Sequence, residues 1–129
     1  AGLATTLAGI QVRADGSLTV FHLGDSRVYR LVNGFLAKLT DDDKHADGGL
    51  TQVLGGALNI RIEPHMYEAF LATDTLLICS DGLTAVLDDE TIAETLALPQ
   101  RTAAERLLDL TLDRGAPDNV TMILCAPLR

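Results

Sequence analysis

The sequence predicts an α+β domain with helices packed on antiparallel sheet, and three observations carry that expectation. Short β-rich runs punctuated by glycine turns fill residues 4–40. The apolar period lengthens to that of a helix from residue 89 onward, and one further β-rich run closes the chain. Many strands, then two helices, then a strand is the pattern of helices laid on an antiparallel sheet, not of alternating parallel units.

The first run, Ala4 to Arg13, meets Asp15-Gly16, a hairpin signal, and continues as LTVFHL over Leu18 to Leu23. VYRLV, from Val28 to Val32, is joined by Asn33-Gly34, a second hairpin signal, to FLAKLT, from Phe35 to Thr40. Together these read as an antiparallel meander. Residues 41–49 (DDDKHADGG) read as a polar, solvated loop, and Leu50 to Leu54 as a helical turn ended by Gly55-Gly56. Two more strands are expected at His65–Leu71 and Thr75–Ser80. Helical spacing then joins Ile92 to Leu96, and Ala103 through Leu107, Leu108 and Leu112. Asp88 or Asp89 is suited to cap the helix over 89–98. Thr102, with Glu105 three residues on, suits a capping box for a helix over 102–114, which Gly115 and Pro117 should end. Asn119 to Ala126 (NVTMILCA) is the last strand.

The chain has 129 residues, 47% of them hydrophobic, which suffices for one domain with its own core. Eighteen acidic residues against ten basic ones give a net charge of −8, which disfavours nucleic acid and anionic membrane as partners. Aromatic residues make up 4% and Trp is absent, so platforms for stacking bases are excluded as a main theme. No run approaches the roughly 20 apolar residues of a membrane span, and no signal peptide opens the sequence. The expected location is therefore cytoplasmic. Cys79 and Cys125 lie in the apolar runs LLICS and MILCA and are expected as buried free thiols.

Three aspartates stand where strands meet turns: Asp25 in GDSR, Asp81 in SDG and Asp118 in DN. Each alone suits a turn. Gathered at one sheet rim, they would repel one another without cations, and hard cations such as Mg²⁺ or Mn²⁺ prefer oxygen ligands. Gly24 and Gly82 would let backbone come close. Other constellations fail. Asp43, His45 and Asp47 open like an EF-hand loop, but position twelve is Leu54 where a bidentate Glu is needed. His22, His45 and His65 lack zinc spacing. Ser80 lacks the GxSxG elbow, Cys79 the exposure a nucleophile needs, and Gly55-Gly56 the lysine of a P-loop.

TTLAG, GDSRVYR, LTQVLGG, LLICSDGLTAVLDDETI, the AAERLLDL helix and GAPDNVTMIL occur in that order over nearly the whole chain. This series resembles the protein phosphatase 2C family of metal-dependent serine/threonine phosphatases, especially its compact bacterial members. The resemblance implies an antiparallel β-sandwich flanked by helices, of which residues 1–129 form a single partial domain lacking the N-terminal part. It assigns Asp81 and Asp118 to a core pair of Mg²⁺ or Mn²⁺ ions and Asp25 to a weaker third ion. Ser26 and Arg27 are structural in this view, Arg27 pairing with a carboxylate near the turn. The implied reaction is hydrolysis of phosphoserine or phosphothreonine by a metal-activated water, with a phosphoprotein as partner, such as a kinase or its targets. The family's further acidic ligand, DG motif, phosphate-binding arginine and proposed general-acid histidine have no match here. The expectation is thus a fragment, with a natural short form as the alternative and little activity by itself. A catalytically silent phosphatase-like binding module, or dimerisation through an uncovered sheet, are the other expectations. The short segment before LTQVLGG leaves the substrate-access flap, and with it substrate preference, open.

Overall fold

A computed structural model describes residues 5–43, 62, 64–67, 73–115 and 119–127. The expected helical turn at 50–54 and the remainder of the strand at 65–71 lie outside them. Seven strands and three helices follow in the order β1 (Leu7–Val12), β2 (Leu18–Leu23), β3 (Arg27–Val32), β4 (Phe35–Lys38), β5 (His65–Tyr67), β6 (Thr75–Cys79), α1 (Asp81–Thr84), α2 (Asp89–Leu96), α3 (Gln100–Asp113) and β7 (Met122–Cys125).

Both expected hairpins form. Asp15 Oδ1 accepts from the Ser17 amide at 2.9 Å, and Gly16 takes φ of 86°, turning β1 onto β2. Asn33 and Gly34, at φ of 49° and 81°, make a two-residue loop of the kind that matches strand twist. The meander, however, does not form. The strands divide into a sheet ordered β1-β2-β5 and a sheet ordered β4-β3-β6-β7, all antiparallel. Strands β2 and β3 each have both edges already taken, by β1 and β5 and by β4 and β6. The turn at 24–26 therefore carries the chain from one sheet to the other.

Strand alternation sorts the second sheet's residues between two layers. Tyr29, Leu31, Leu77 and Cys79 join Leu83, Leu87, Ile92, Leu96 and Leu107 of the helical layer in one buried cluster. Their neighbours Val28 and Leu76, fully buried outside that cluster, face the other way, toward the first sheet, whose β1 lies across β3 and β6. Each fully buried leucine contributes about 1.5–3 kcal/mol. Arg30, also on this second face, donates from Nη2 and Nε to Asp74 Oδ2 at 2.6 and 3.1 Å, an ion pair buried near the far end of the sheet. Removing one partner of such a pair strands the other without water.

The helices begin and end partly as expected. Asp88 Oδ1 accepts the Thr91 amide at 2.8 Å and caps α2. Gly115, at φ of 87°, ends α3. The capping box at Thr102 is a wrong expectation: α3 starts earlier, where the Ala103 amide donates to the Pro99 carbonyl at 2.8 Å. The fixed φ of proline already suits a helix start. Gln100 Nε2 then ties this end to the Leu124 carbonyl of β7 at 3.1 Å. Cys79 is buried and Cys125 half-buried, both free. They pair with Met122 and Leu76 respectively, three residues apart along adjoining strands and too far for a disulfide. Among the described residues, no helix is long and apolar enough to cross a membrane.

The Thr91 hydrogen bond holds the Asp88 carboxyl below its ordinary pKa of 3.8. Its stabilisation is complete above that value and disappears as pH falls through the depressed one. Thermal melts should therefore show Asp88→Ala lowering Tm at neutral pH, with the gap to wild type closing in acid. Asp88→Asn keeps an acceptor and should melt near wild type at neutral pH.

Candidate metal centre

The end of the β3–β6 ladder collects the sequence motifs. Arg27 opposite Cys79 is its last pair, so the residues two further on in each direction, Asp25 and Asp81, leave the sheet at the same rim. On the other side of β6, Cys79 pairs with Met122, and the contact continues beyond the strands. The Ser80 amide donates to the Thr121 carbonyl and the Thr121 amide donates to Ser80 Oγ, each at 3.0 Å. Ser80 precedes α1, yet its hydroxyl does not cap that helix because it holds residue 121 instead.

One residue past Asp81, the chain runs against the segment of the DN motif. A Cβ built on Gly82 would lie 2.2 Å from the Asn119 carbonyl oxygen, so only glycine admits that approach. Asn119 to Thr121 read as strand in the sequence, but β7 begins at Met122. The three residues before it serve the rim. Asp118 itself lies outside the described residues. Among the described residues, no three His, Cys, Asp or Glu side chains form a metal-holding group.

Asp25 is 8% exposed, in the turn that changes sheets. Gly24 before it takes φ of 95°. Ser26 after it shares a 2.6 Å hydrogen bond with Thr6 Oγ1, joining the turn to the approach to β1. Arg27 has the structural role expected. Its Nε and Nη2 donate to the two oxygens of Asp42 at 3.0 and 2.8 Å, and its Nη1 to Tyr29 Oη at 2.8 Å. Bidentate pairing with Asp42 raises the guanidinium pKa further above its ordinary value. This corrects the solvated-loop expectation for Asp42 and Asp43, while Asp41 is exposed as expected. Both are half-buried, Asp42 bonded to Arg27 of β3 and Asp43 to Gly24 of the turn.

The signal for this was present in the sequence. A two-residue hairpin fixes register, and counting outward from Val32 opposite Phe35 brings Gly24 opposite Asp43. His22 sits at the same rim, where its Nε2 donates to the Asp41 carbonyl. Cys79 lies behind the centre, and burial pushes its thiol up to about 12, so it is no nucleophile.

Carboxylates at a rigid rim, with a glycine admitting backbone at close range, are the donor type that Mg²⁺ and Mn²⁺ select. Asp25 and Asp81 are carboxylates of that donor type, on segments that leave the sheet at one rim.

No family model matches the chain. It is 36% identical to the serine/threonine protein phosphatase PstP of Mycobacterium tuberculosis, over 95% of its own length and 27% of that protein's. It is 29% identical to the serine/threonine phosphatase stp of Listeria monocytogenes, over 95% of its length and 56% of the relative's. The structure of the catalytic domain of PstP in complex with two manganese ions matches with a TM-score of 0.83 at 38% identity, covering 94% of this chain and 57% of that one. The chain thus spans about a quarter to a half of the length of these relatives.

Two outcomes follow from this geometry. Gly82→Ala should cost about 1–3 kcal/mol in urea unfolding, because the Asn119 backbone must move to admit the methyl group. Thiol titration of the native protein at mildly alkaline pH should modify Cys125 slowly and Cys79 only after denaturation.

Proposed function

Since the chain belongs to the protein phosphatase 2C family and spans part of its members' length, we propose that the protein containing it is a metal-dependent phosphoprotein phosphatase, of which residues 1–129 are the C-terminal part of one domain. The substrate class is phosphoserine and phosphothreonine on protein, in a cytoplasmic setting, with a partner kinase or its targets as natural candidates. The observation that supports this reading is the shared rim, where the ladder end at Arg27–Cys79 brings the GDSR and SDG segments together and Gly82 meets Asn119.

Asp81 and Asp118 are the ligands proposed for a core pair of Mg²⁺ or Mn²⁺ ions, and Asp25 for a third, weaker one. When bound, such ions lower the pKa of an attacking water and neutralise charge on the phosphoryl oxygens. The chain's own contribution is placement. Asp81 is the first residue of α1, two positions past β6, with Ser80 and Gly82 on either side of it gripping residues 119–121. Asp25 is fixed by Gly24 on one side and by the Ser26–Thr6 bond on the other. Preorganised groups need no rearrangement as charge develops, which is where electrostatic catalysis gains most.

The complete gene product should hydrolyse p-nitrophenyl phosphate and a phosphothreonine peptide in the presence of Mn²⁺. Activity should vanish with chelator, and Asp81→Ala should lower kcat/KM by about 100-fold or more. Turnover that survives both chelation and Asp81→Ala sinks the assignment. Absence of turnover with Mn²⁺ points to a silent phosphatase-like binding module.

A further inference from the structure

We propose that Asp43 is a positioning residue for Asp25, acting through the backbone of Gly24. The inference rests on the reading of Asp25 as a cation ligand. Beyond β4 the chain runs on as a strap, residues 39–43, that touches both sheets. The Leu39 amide donates to the Val28 carbonyl at 2.8 Å, and the Val28 amide to Thr40 Oγ1 at 3.3 Å, so the strap stays in register on β3. From the other sheet, Tyr67 Oη donates to the Leu39 carbonyl at 2.9 Å, and His22 Nε2 reaches the Asp41 carbonyl. Arg27 holds Asp42, as described above.

The strap ends on Gly24. The Asp43 amide donates to the Gly24 carbonyl at 2.9 Å, and the Gly24 amide donates to Asp43 Oδ2 at 2.8 Å. One residue thereby occupies both backbone groups of the glycine that precedes Asp25. The Gly24 carbonyl belongs to the peptide plane that carries the Asp25 amide, so this clamp sets the direction from which Asp25 departs. Glycine at φ of 95° is the least constrained residue the turn could contain. A free turn of this kind would sample many directions for the carboxylate. The side-chain acceptor on the Gly24 amide removes that freedom. Ligand orientation by groups one shell out typically alters metal affinity by about 10–100-fold.

The test uses the complete gene product and reads Mn²⁺ binding directly, from the electron paramagnetic resonance signal of free Mn²⁺ during titration. Asp25→Asn should lose one class of site. Asp43→Ala should weaken that same class by about 10–100-fold and speed hydrogen exchange at the Gly24 amide, and Asp43→Asn should recover most of the affinity. Leu107→Ala, a core variant remote in role, should lower Tm without moving the Mn²⁺ affinity. Wild-type binding by Asp43→Ala, with the site lost in Asp25→Asn, overturns the positioning role while leaving Asp25 a ligand. Wild-type binding by Asp25→Asn removes the ligand role and the positioning role with it.

Discussion

The antiparallel pairing of β3 with β6 is the constraint on which the rest of the structure depends. It supplies Tyr29, Leu31, Leu77 and Cys79 to the face that the helices cover, and Val28 and Leu76 to the face that meets the other sheet. The same register decides where the two strands stop. Because Arg27 faces Cys79, two carboxylates that are 56 positions apart in sequence (Asp25 and Asp81) leave the sheet together. A slip of one residue would turn the faces of one strand over against the other and offset the two carboxylates in the same movement. Core and candidate centre are therefore specified by one ladder.

Bringing acidic groups to one rim costs repulsion, and the fold meets that cost with directional bonds. Arg27 takes Asp42 in two parallel hydrogen bonds and passes a third to Tyr29, whose hydroxyl reaches Asp89 at the start of α2 at 3.5 Å. Burial raises the Tyr29 pKa, so the hydroxyl stays protonated and can donate. Strand β3, the strap at 39–43 and the helical layer are thus joined through two side chains. Asp43 and Ser26 hold the two sides of Asp25 by independent contacts. Such redundancy suits a carboxylate whose direction matters, since one bond fixes a distance but two fix an orientation.

Local signals in the sequence were reliable where local physics decides. Asp15-Gly16 and Asn33-Gly34 turn because they tolerate positive φ, Asp88 caps because its oxygen reaches the Thr91 amide, and Gly115 stops α3 for the same reason as the turns. They failed where two local signals competed. Thr102 and Glu105 have capping-box spacing, but Pro99 starts the helix first and leaves them inside it. They failed again where the outcome depended on distant partners. The meander was a fair reading of four adjacent runs, yet β5 and β6 claim the edges that β2 and β3 would have shared. The Asp41–Asp43 run is a different case: it looked solvated because three consecutive acids usually are, although the two-residue Asn33-Gly34 hairpin already sets the register that brings Asp43 onto Gly24.

The candidate centre divides in the same way. Sequence was enough for the α+β class, the turns, the cap of α2, the end of α3, and the identity of Asp25 and Asp81 as carboxylates at strand ends, because those follow from period and from the preferences of single residues. Only long-range pairing decided the partition into two sheets, the buried pair of Arg30 with Asp74, and the use of Ser80 and Gly82 to seat residues 119–121. Each of these joins segments far apart in the chain. Such contacts are selected by the edges and faces left open once the strands have paired, and no window of local sequence contains that choice.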